Sequence, residues 1–484
     1  MAQLPTGAAE ETSGAARTAV APAVDEPTPP SAPLPGFRPI LALLGTAAAL
    51  LAVLAYGLHR SPITFGVFTH PPVYGIWAPT WDRLSLTVLP AAVLLAGTAW
   101  LVTSSRRIPT WLALGALIGC GVLTALAVGL VRGDPHDLVR GLSTGPKSPY
   151  YTSDLHFLDE LGVREFIERH PRMTTALHSY NSRTHPPGTL VFLYLLFRLF
   201  GSAHTLRIAT VLAALALAAA ACAWAIGRAL GGERAGRIAA ALFVAAPGPL
   251  MLAYSSLDMT FALVMSAAVA LFVLAIHRRS ALVAAAAGAV LGLGTLLTFA
   301  TSFVALAATL AVLVQSGSLQ RAARLLGAAL AGGALVLVLA RVLGGFDVLA
   351  SYRSSPGAGR PYDPYWIIGS PSAWLIYAGL PLAALGIAGL FWAVPDARRP
   401  VLPLILVLLM VGWAALPTVY TKLRPGEVER TWAFLYPLLA ATAGVMVDRW
   451  SRRSRLPAGA LVAGLVILSV AQAVLLQGLW DNLN

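Results

Sequence analysis

From Pro39 to Leu479 the chain is a succession of apolar runs, many of them close to twenty residues long, separated by short stretches that hold nearly all of its arginines and acids. A bilayer core is crossed by roughly 20 helical residues, and a chain inside lipid must satisfy its own backbone hydrogen bonds, which helices do within one segment. Soluble domains carry about 25% charged residues; here the charged share is 11% and the hydrophobic share 57%. The sequence therefore predicts an all-α integral membrane protein. Spans are expected near 39–58, 84–103, 109–131, 204–227, 236–254, 259–277, 281–298, 302–315, 323–342, 373–394, 400–419, 432–447 and 458–478, about 13 transmembrane helices in all. The run Leu190 to Phe200 is too short to cross and is expected to lie at an interface, where it and the stretch before it supply interfacial juxtamembrane helices.

The net charge of +13 does not point to nucleic acid, because the basic residues sit in short clusters between apolar runs. Arg106-Arg107, Arg228, Arg234, Arg237, Arg278-Arg279, Arg321, Arg324, Arg398-Arg399, Arg449, Arg452, Arg453 and Arg455 all fall on one side of the expected stack. Short cytoplasmic loops collect Lys and Arg, so that side is cytoplasmic, the amino terminus is inside and the protein is multi-pass in the cell membrane. Cys120 and Cys222 lie within apolar runs, which leaves no cysteine framework for a disulfide scaffold or a metal cluster. Residues 1–36 are rich in Ala, Pro, Thr and Glu without apolar periodicity and read as a disordered cytoplasmic tail. After it come a hairpin of two spans over 37–108, a catalytic transmembrane module over 109–342 with an outer loop at 132–203, and a C-terminal module over 343–484 with outer loops at 344–372 and 420–431.

The outer loops carry the groups fit for chemistry. Tyr150-Tyr151-Thr152-Ser153-Asp154 leads into a segment to Ile167 whose Leu155, Leu158, Leu161 and Phe166 share a stripe, as in a helix lying flat on a bilayer, with Ser153 placed to cap it. Asp154 is then either a functional acid or a first-turn acid favoured by the helix dipole. Asp134, in Gly133-Asp134-Pro135-His136-Asp137, is a second acid that reads equally as a solvated exit turn. Asp258 stands at a span boundary, where an acid is costly unless used or hydrated. His185 opens His185-Pro186-Pro187-Gly188 and serves either a ligand or a helix start, while Lys422, Arg424, Glu429 and Arg430 precede a late span.

The order of these signals resembles the GT-C glycosyltransferases, in the branch of protein O-mannosyltransferases and aminoarabinose transferases. A span, an acid, an interfacial helix, His185-Pro186-Pro187-Gly188 with a short apolar helix, Leu206-Arg207-Ile208-Ala209, the Arg228-to-Gly236 turn, Pro247-Gly248-Pro249 and Tyr254-Ser255-Ser256-Leu257-Asp258 follow one another over roughly Leu112 to Leu313. In that family an Asp-Glu pair commonly follows the span directly, whereas here the candidate acid comes later and Asp159-Glu160 lies inside the helix.

The resemblance implies an inverting transfer of a hexose or pentose from a polyprenyl-phosphate carrier, bound with membrane lipid, to a glycan, lipid or protein acceptor on the extracytoplasmic face. It implies no bound cofactor beyond the lipid-phosphate sugar donor and leaves a divalent metal open. A general base must take the acceptor proton, and a partly desolvated carboxylate gains basicity; Asp154 is expected in that role, with Asp134 the alternative. Arg430, Lys422 and Arg424 are expected to meet the departing phosphate, with His185, Asp258 and Glu429 around the substrates. The competing reading is a transporter or lipid-linked sugar flippase. Against it, the middles of the expected spans hold no Asp, Glu, Lys or Arg, whereas transporters bury such groups at midplane.

Overall fold

Apolar runs without internal Pro or charge fold here as helices because the backbone closes its own hydrogen bonds, and they end where glycine, proline or a charged turn interrupts them. The computed structural model describes residues 38–60, 76–105, 107–143, 150–356, 366–393, 405, 428–454 and 456–481. The tail at 1–36, the expected span at 400–419 apart from residue 405, Lys422 and Arg424 lie outside the described residues.

The chain is all-α in architecture. Helices run over α1 Arg38–Arg60, α2 Val88–Ser104, α3 Thr110–Gly129, α4 His156–Leu161, α5 Val163–Met173, α6 Tyr180–Thr184 and α7 Gly188–Phe200. They continue as α8 Thr205–Leu217, α9 Ala220–Gly231, α10 Glu233–Ala245, α11 Pro247–Leu252, α12 Leu257–Arg278, α13 Ala281–Thr295, α14 Thr301–Gln315, α15 Leu319–Gly344 and α16 Val348–Ser354. The last are α17 Trp366–Ala378, α18 Leu380–Ala388, α19 Val428–Thr431, α20 Tyr436–Ser454 and α21 Ala458–Leu479. The extended residues among those described are a two-residue antiparallel pairing of Ile76–Trp77 with Trp480–Asp481.

Seven helical stretches among the described residues are long and apolar enough to cross a membrane, or eight if a bent pair counts as one span. They coincide with the expected spans near 39–58, 84–103, 109–131, 204–227, 259–277, 323–342 and 458–478. The bent pair is α17 and α18, which meet at 108° where Gly379 adopts φ 84, so the expected span at 373–394 is a broken element. The expected span at 236–254 is also two helices, because Ala246 is extended at ψ 140 ahead of Pro247. Helices α13 and α14 are fifteen residues each. Helix α20 extends to Ser454, beyond the expected end at 447, since arginines at its last turn favour the negative end of a helix dipole.

Two local expectations need correction. The segment from Asp154 to Ile167 is two helices, split at Gly162 with φ 75, a conformation in which a side chain would be strained. Ser153 caps neither, because its hydroxyl donates to Tyr150 O instead. The stripe itself survives the break: Leu155, Leu158 and Phe166 are all buried. The short run after His185 is a thirteen-residue helix, too short to span.

The bundle has two chemically different ends. Helix α12 carries Asp258 in its first turn and ends at Arg278, 22 residues in all, so its ends lie roughly 30 Å apart at the usual helical rise. At the arginine end, Arg234 and Arg452 both pair with Asp448, and Arg237, 6% exposed, donates to the carbonyls of Val102, Ser105 and Ile108. Those three carbonyls border the turn between α2 and α3, so one buried guanidinium fixes that turn. At the other end the loops converge on Asp258.

Candidate active site

Asp258 occupies the first turn of α12, where the helix dipole favours a carboxylate. Its side chain is 10% exposed. Arg430 Nη1 lies 3.5 Å from Oδ2 and His185 Nε2 lies 3.9 Å from Oδ1, while the Ser256 hydroxyl is 3.4 Å from Oδ2. Burying a carboxylate without a counter-charge costs several kcal/mol, so the pairing with Arg430, itself 5% exposed, explains why both tolerate the interior. The separations exceed an ordinary charged hydrogen bond. Catalytic contacts in a substrate-free enzyme are often long in this way and tighten around the reactants.

Each partner is delivered by a definable local structure. His185 ends α6, and its Nδ1 lies 3.0 Å from the carbonyl oxygen of Asn181. A carbonyl only accepts, so Nδ1 carries a proton, and Nε2 is the nitrogen that faces Asp258. The following Pro186-Pro187 preset the start of α7. Gly188 is required by proximity: a β-carbon there would sit 2.3 Å from Leu296 O at the end of α13. Arg430 belongs to α19, which is tied down by the Tyr436 hydroxyl donating to Glu429 O at 2.7 Å. Tyr436 in turn stacks on Trp374 of α17 with ring centroids 5.9 Å apart.

Tyr150 and Tyr151 close the centre from the side. The Tyr150 oxygen accepts from the Leu257 amide at 3.2 Å. Burial pushes the Tyr150 phenol above its ordinary range, the charge of Asp258 pushes the same way and Arg430 opposes, so the hydroxyl stays protonated at neutral pH. The Tyr151 ring stands edge-on to His185 at 5.6 Å.

Of the residues expected from sequence, the fold brings His185, Asp258 and Arg430 together, with Glu429 buried beside Arg430 in α19. Asp154 is placed differently. It is fully buried, and its carboxylate accepts from the His178 amide at 2.7 Å, the Ser179 amide at 2.9 Å and the His178 ring at 3.1 Å. Those bonds anchor the turn that opens α6, which Ser179 caps through Asn181 N. Behind the same turn His170 is buried with Nε2 3.2 Å from Ser182 O, and burial pushes its pKa down to about 4, which keeps it neutral. Asp134 is exposed and caps a short turn through His136 N at 2.8 Å, beside Asp137, Arg140 and Asp481. Among the described residues no group of three or more His, Cys, Asp or Glu side chains converges as metal ligands would.

These features define a multi-pass helical membrane protein with a buried guanidinium beside a partly buried carboxylate and imidazole at one end of the bundle. Residues 184–343, about a third of the chain, match the family of dolichyl-phosphate-mannose-protein mannosyltransferases, a stretch that opens one residue before His185 and contains Asp258. Curated proteins give no sequence match. Among solved structures the Archaeoglobus fulgidus oligosaccharyltransferase, crystallised with zinc and sulfate, aligns at 15% identity with a TM-score of 0.38, over 60% of this chain and 44% of its own.

Proposed function

We propose that this protein is a membrane glycosyltransferase that moves one sugar from a polyprenyl-phosphate donor to an acceptor hydroxyl at the extracytoplasmic end of the bundle, the amino terminus being cytoplasmic. The observation that carries the reading is Asp258, its side chain 10% exposed and shared between Arg430 and His185.

In this mechanism the acceptor O–H gives its proton to the Asp258 carboxylate as the new O–C bond forms at the anomeric carbon. The C–O bond to the phosphate breaks from the opposite side, and its electron pair leaves with the lipid phosphate. Arg430 holds the charge that develops there, for which its planar set of donors is suited. His185 stands where it receives the proton next from Asp258. The base is thus assigned to Asp258 and not to Asp154, whose carboxylate is closed off by three N–H groups and by burial. The charged turns at the far end supply the cytoplasmic face.

The test is turnover of labelled polyprenyl-phosphate sugar by purified protein. Asp258→Asn is expected to lower the rate about a hundredfold, the usual scale for losing a general base. Arg430→Lys is expected to recover only part of the loss seen in Arg430→Ala, because one ammonium cannot replace the fork of donors. Near-wild-type turnover in all three variants would remove this centre from the mechanism. A flippase reading draws on the break at Gly379, since transporters use discontinuous helices; lipid-sugar movement without any transfer product would favour it.

A further inference from the structure

A second cavity, of about 580 Å³, opens between α4 and α7, and the centre at Asp258 makes no use of it. Its volume lies within the usual range for small-molecule sites, about 300–1,000 Å³. Resting on the transferase reading above, we propose that this cavity is the acceptor subsite and that its occupant is a carbohydrate.

The walls combine rings with directional polar groups. His156 and Asp159 come from α4, Tyr194 and Arg198 from α7, and His178 with Ser153 from the segments beneath. The rings of His156 and His178 lie 5.8 Å apart on the wall. The Tyr194 hydroxyl donates to Asp159 Oδ1 at 2.9 Å, and Arg198 reaches the same oxygen at 3.8 Å while its guanidinium lies 5.9 Å from the Tyr194 ring. His156 Nδ1 lies 3.0 Å from Ser153 O, which leaves Nε2 as the acceptor open to a ligand.

A sugar ring asks for such a surface: a flat face of C–H groups to rest on a ring, and hydroxyls to pair with a carboxylate, a guanidinium, a phenol and imidazoles. The other occupants fit less well. A free phosphate would face the Asp159 carboxylate, and an extended peptide needs a sheet edge or long groove.

Two links join the cavity to the reacting groups. Thr152 and Ser153 line it and belong to the same turn as Tyr151, whose ring meets His185. His178 lines it and is held from behind by Asp154, which has no exposed surface. An occupant lying against Thr152 is therefore one residue along the chain from Tyr151.

Saturation-transfer NMR on the full chain in lipid nanodiscs, with methyl glycosides of common hexoses and pentoses as probes, tests the proposal without needing turnover. At least one glycoside is expected to bind saturably. Asp159→Ala and Tyr194→Leu are expected to weaken it about tenfold, the scale of losing a hydrogen bond to a charged group. Arg430→Ala is expected to leave it unchanged. Tyr194→Phe keeps the ring and should fall between wild type and Tyr194→Leu, which separates a lost contact from a lost fold. Absence of binding by every glycoside, binding unmoved by Asp159→Ala and Tyr194→Leu, or displacement of the glycoside by a Ser/Thr peptide would overturn the proposal. Glycoside binding without donor turnover would sink the transferase reading and leave the subsite standing. Donor turnover whose acceptor KM ignores both variants would do the reverse.

Discussion

Asp154 and Asp258 are the same side chain in two electrostatic situations, and the difference assigns their work. Asp258 faces a guanidinium and an imidazole across gaps of 3.5 and 3.9 Å. Asp154 has spent its lone pairs on two backbone amides and one imidazole. Replacing Asp154 by Asn puts an NH2 against at least one N–H donor in a site that excludes water, and an unsatisfied buried donor costs about 1–3 kcal/mol. Asp154→Asn is therefore expected to lower the melting temperature by several degrees and to reduce kcat modestly through displacement of His185, with the pH–rate profile keeping its shape. Asp258→Asn is expected to lower turnover about a hundredfold, as a lost general base does, and, because it strips Arg430 of its counter-charge, to lower the melt as well. Full stability with a hundredfold loss in Asp154→Asn would return the base to Asp154. Composition and position could nominate both acids, and His185 and Arg430 with them, because polar groups at span boundaries stand out in an apolar chain. They could not rank them: the amides that saturate Asp154 lie 24 and 25 residues away, with no local pattern to announce them.

At the scale of elements, apolar length located most helices and misjudged their continuity. Hydropathy reports what a run is made of and not the path it follows, so α10 and α11 merged across Pro247, α17 and α18 merged across Gly379, and the stripe from Leu155 to Phe166 concealed the break at Gly162. Packing between helices was equally hidden. Helices α13 and α15 approach so closely that a β-carbon at Gly332 would stand 2.0 Å from Ala285 O, and one at Gly288 would stand 1.8 Å from Ala329 O. In lipid, where apolar surface gains little from leaving the tails, such close approach supplies much of the association energy. Gly332→Ala is expected to destabilise by about 1–3 kcal/mol, as overpacking does. Gly327→Ala, on the same helix with nothing within 4 Å of the added carbon, should be neutral or slightly stabilising because Ala is the better helix former. Thermal unfolding in detergent of the two variants makes the comparison, and equal melts would show that the α13–α15 contact does not set stability.

At the scale of the molecule, the chain is polarised along the bundle axis. The arginine end is held by Arg234 and Arg452 on Asp448 and by Arg237 on three carbonyls, with Arg324 donating to Arg279 O at 2.7 Å. The other end gathers Asp258, His185 and Arg430 under loops that α7 closes. The arginines that anchor the far turns are of the kind that short cytoplasmic loops collect. Helix α7 matters most to the assignment: read as a full span it would invert every later loop and carry Arg278 and Arg279 outward, yet it has thirteen residues where about 20 are needed. Single cysteines can test the orientation in a background lacking Cys120 and Cys222. Ser202 follows α7 and is exposed, and Leu319, 79% exposed, opens α15 at the arginine end. Ser202→Cys is expected to react with a membrane-impermeant thiol reagent on intact cells, and Leu319→Cys only after permeabilisation. The reverse pattern would place Asp258 on the cytoplasmic side and require a donor presented there. Labelling of both from one side would mean an even number of crossings between them, which is incompatible with α8 through α14 carrying the chain from the Asp258 end to the arginine end.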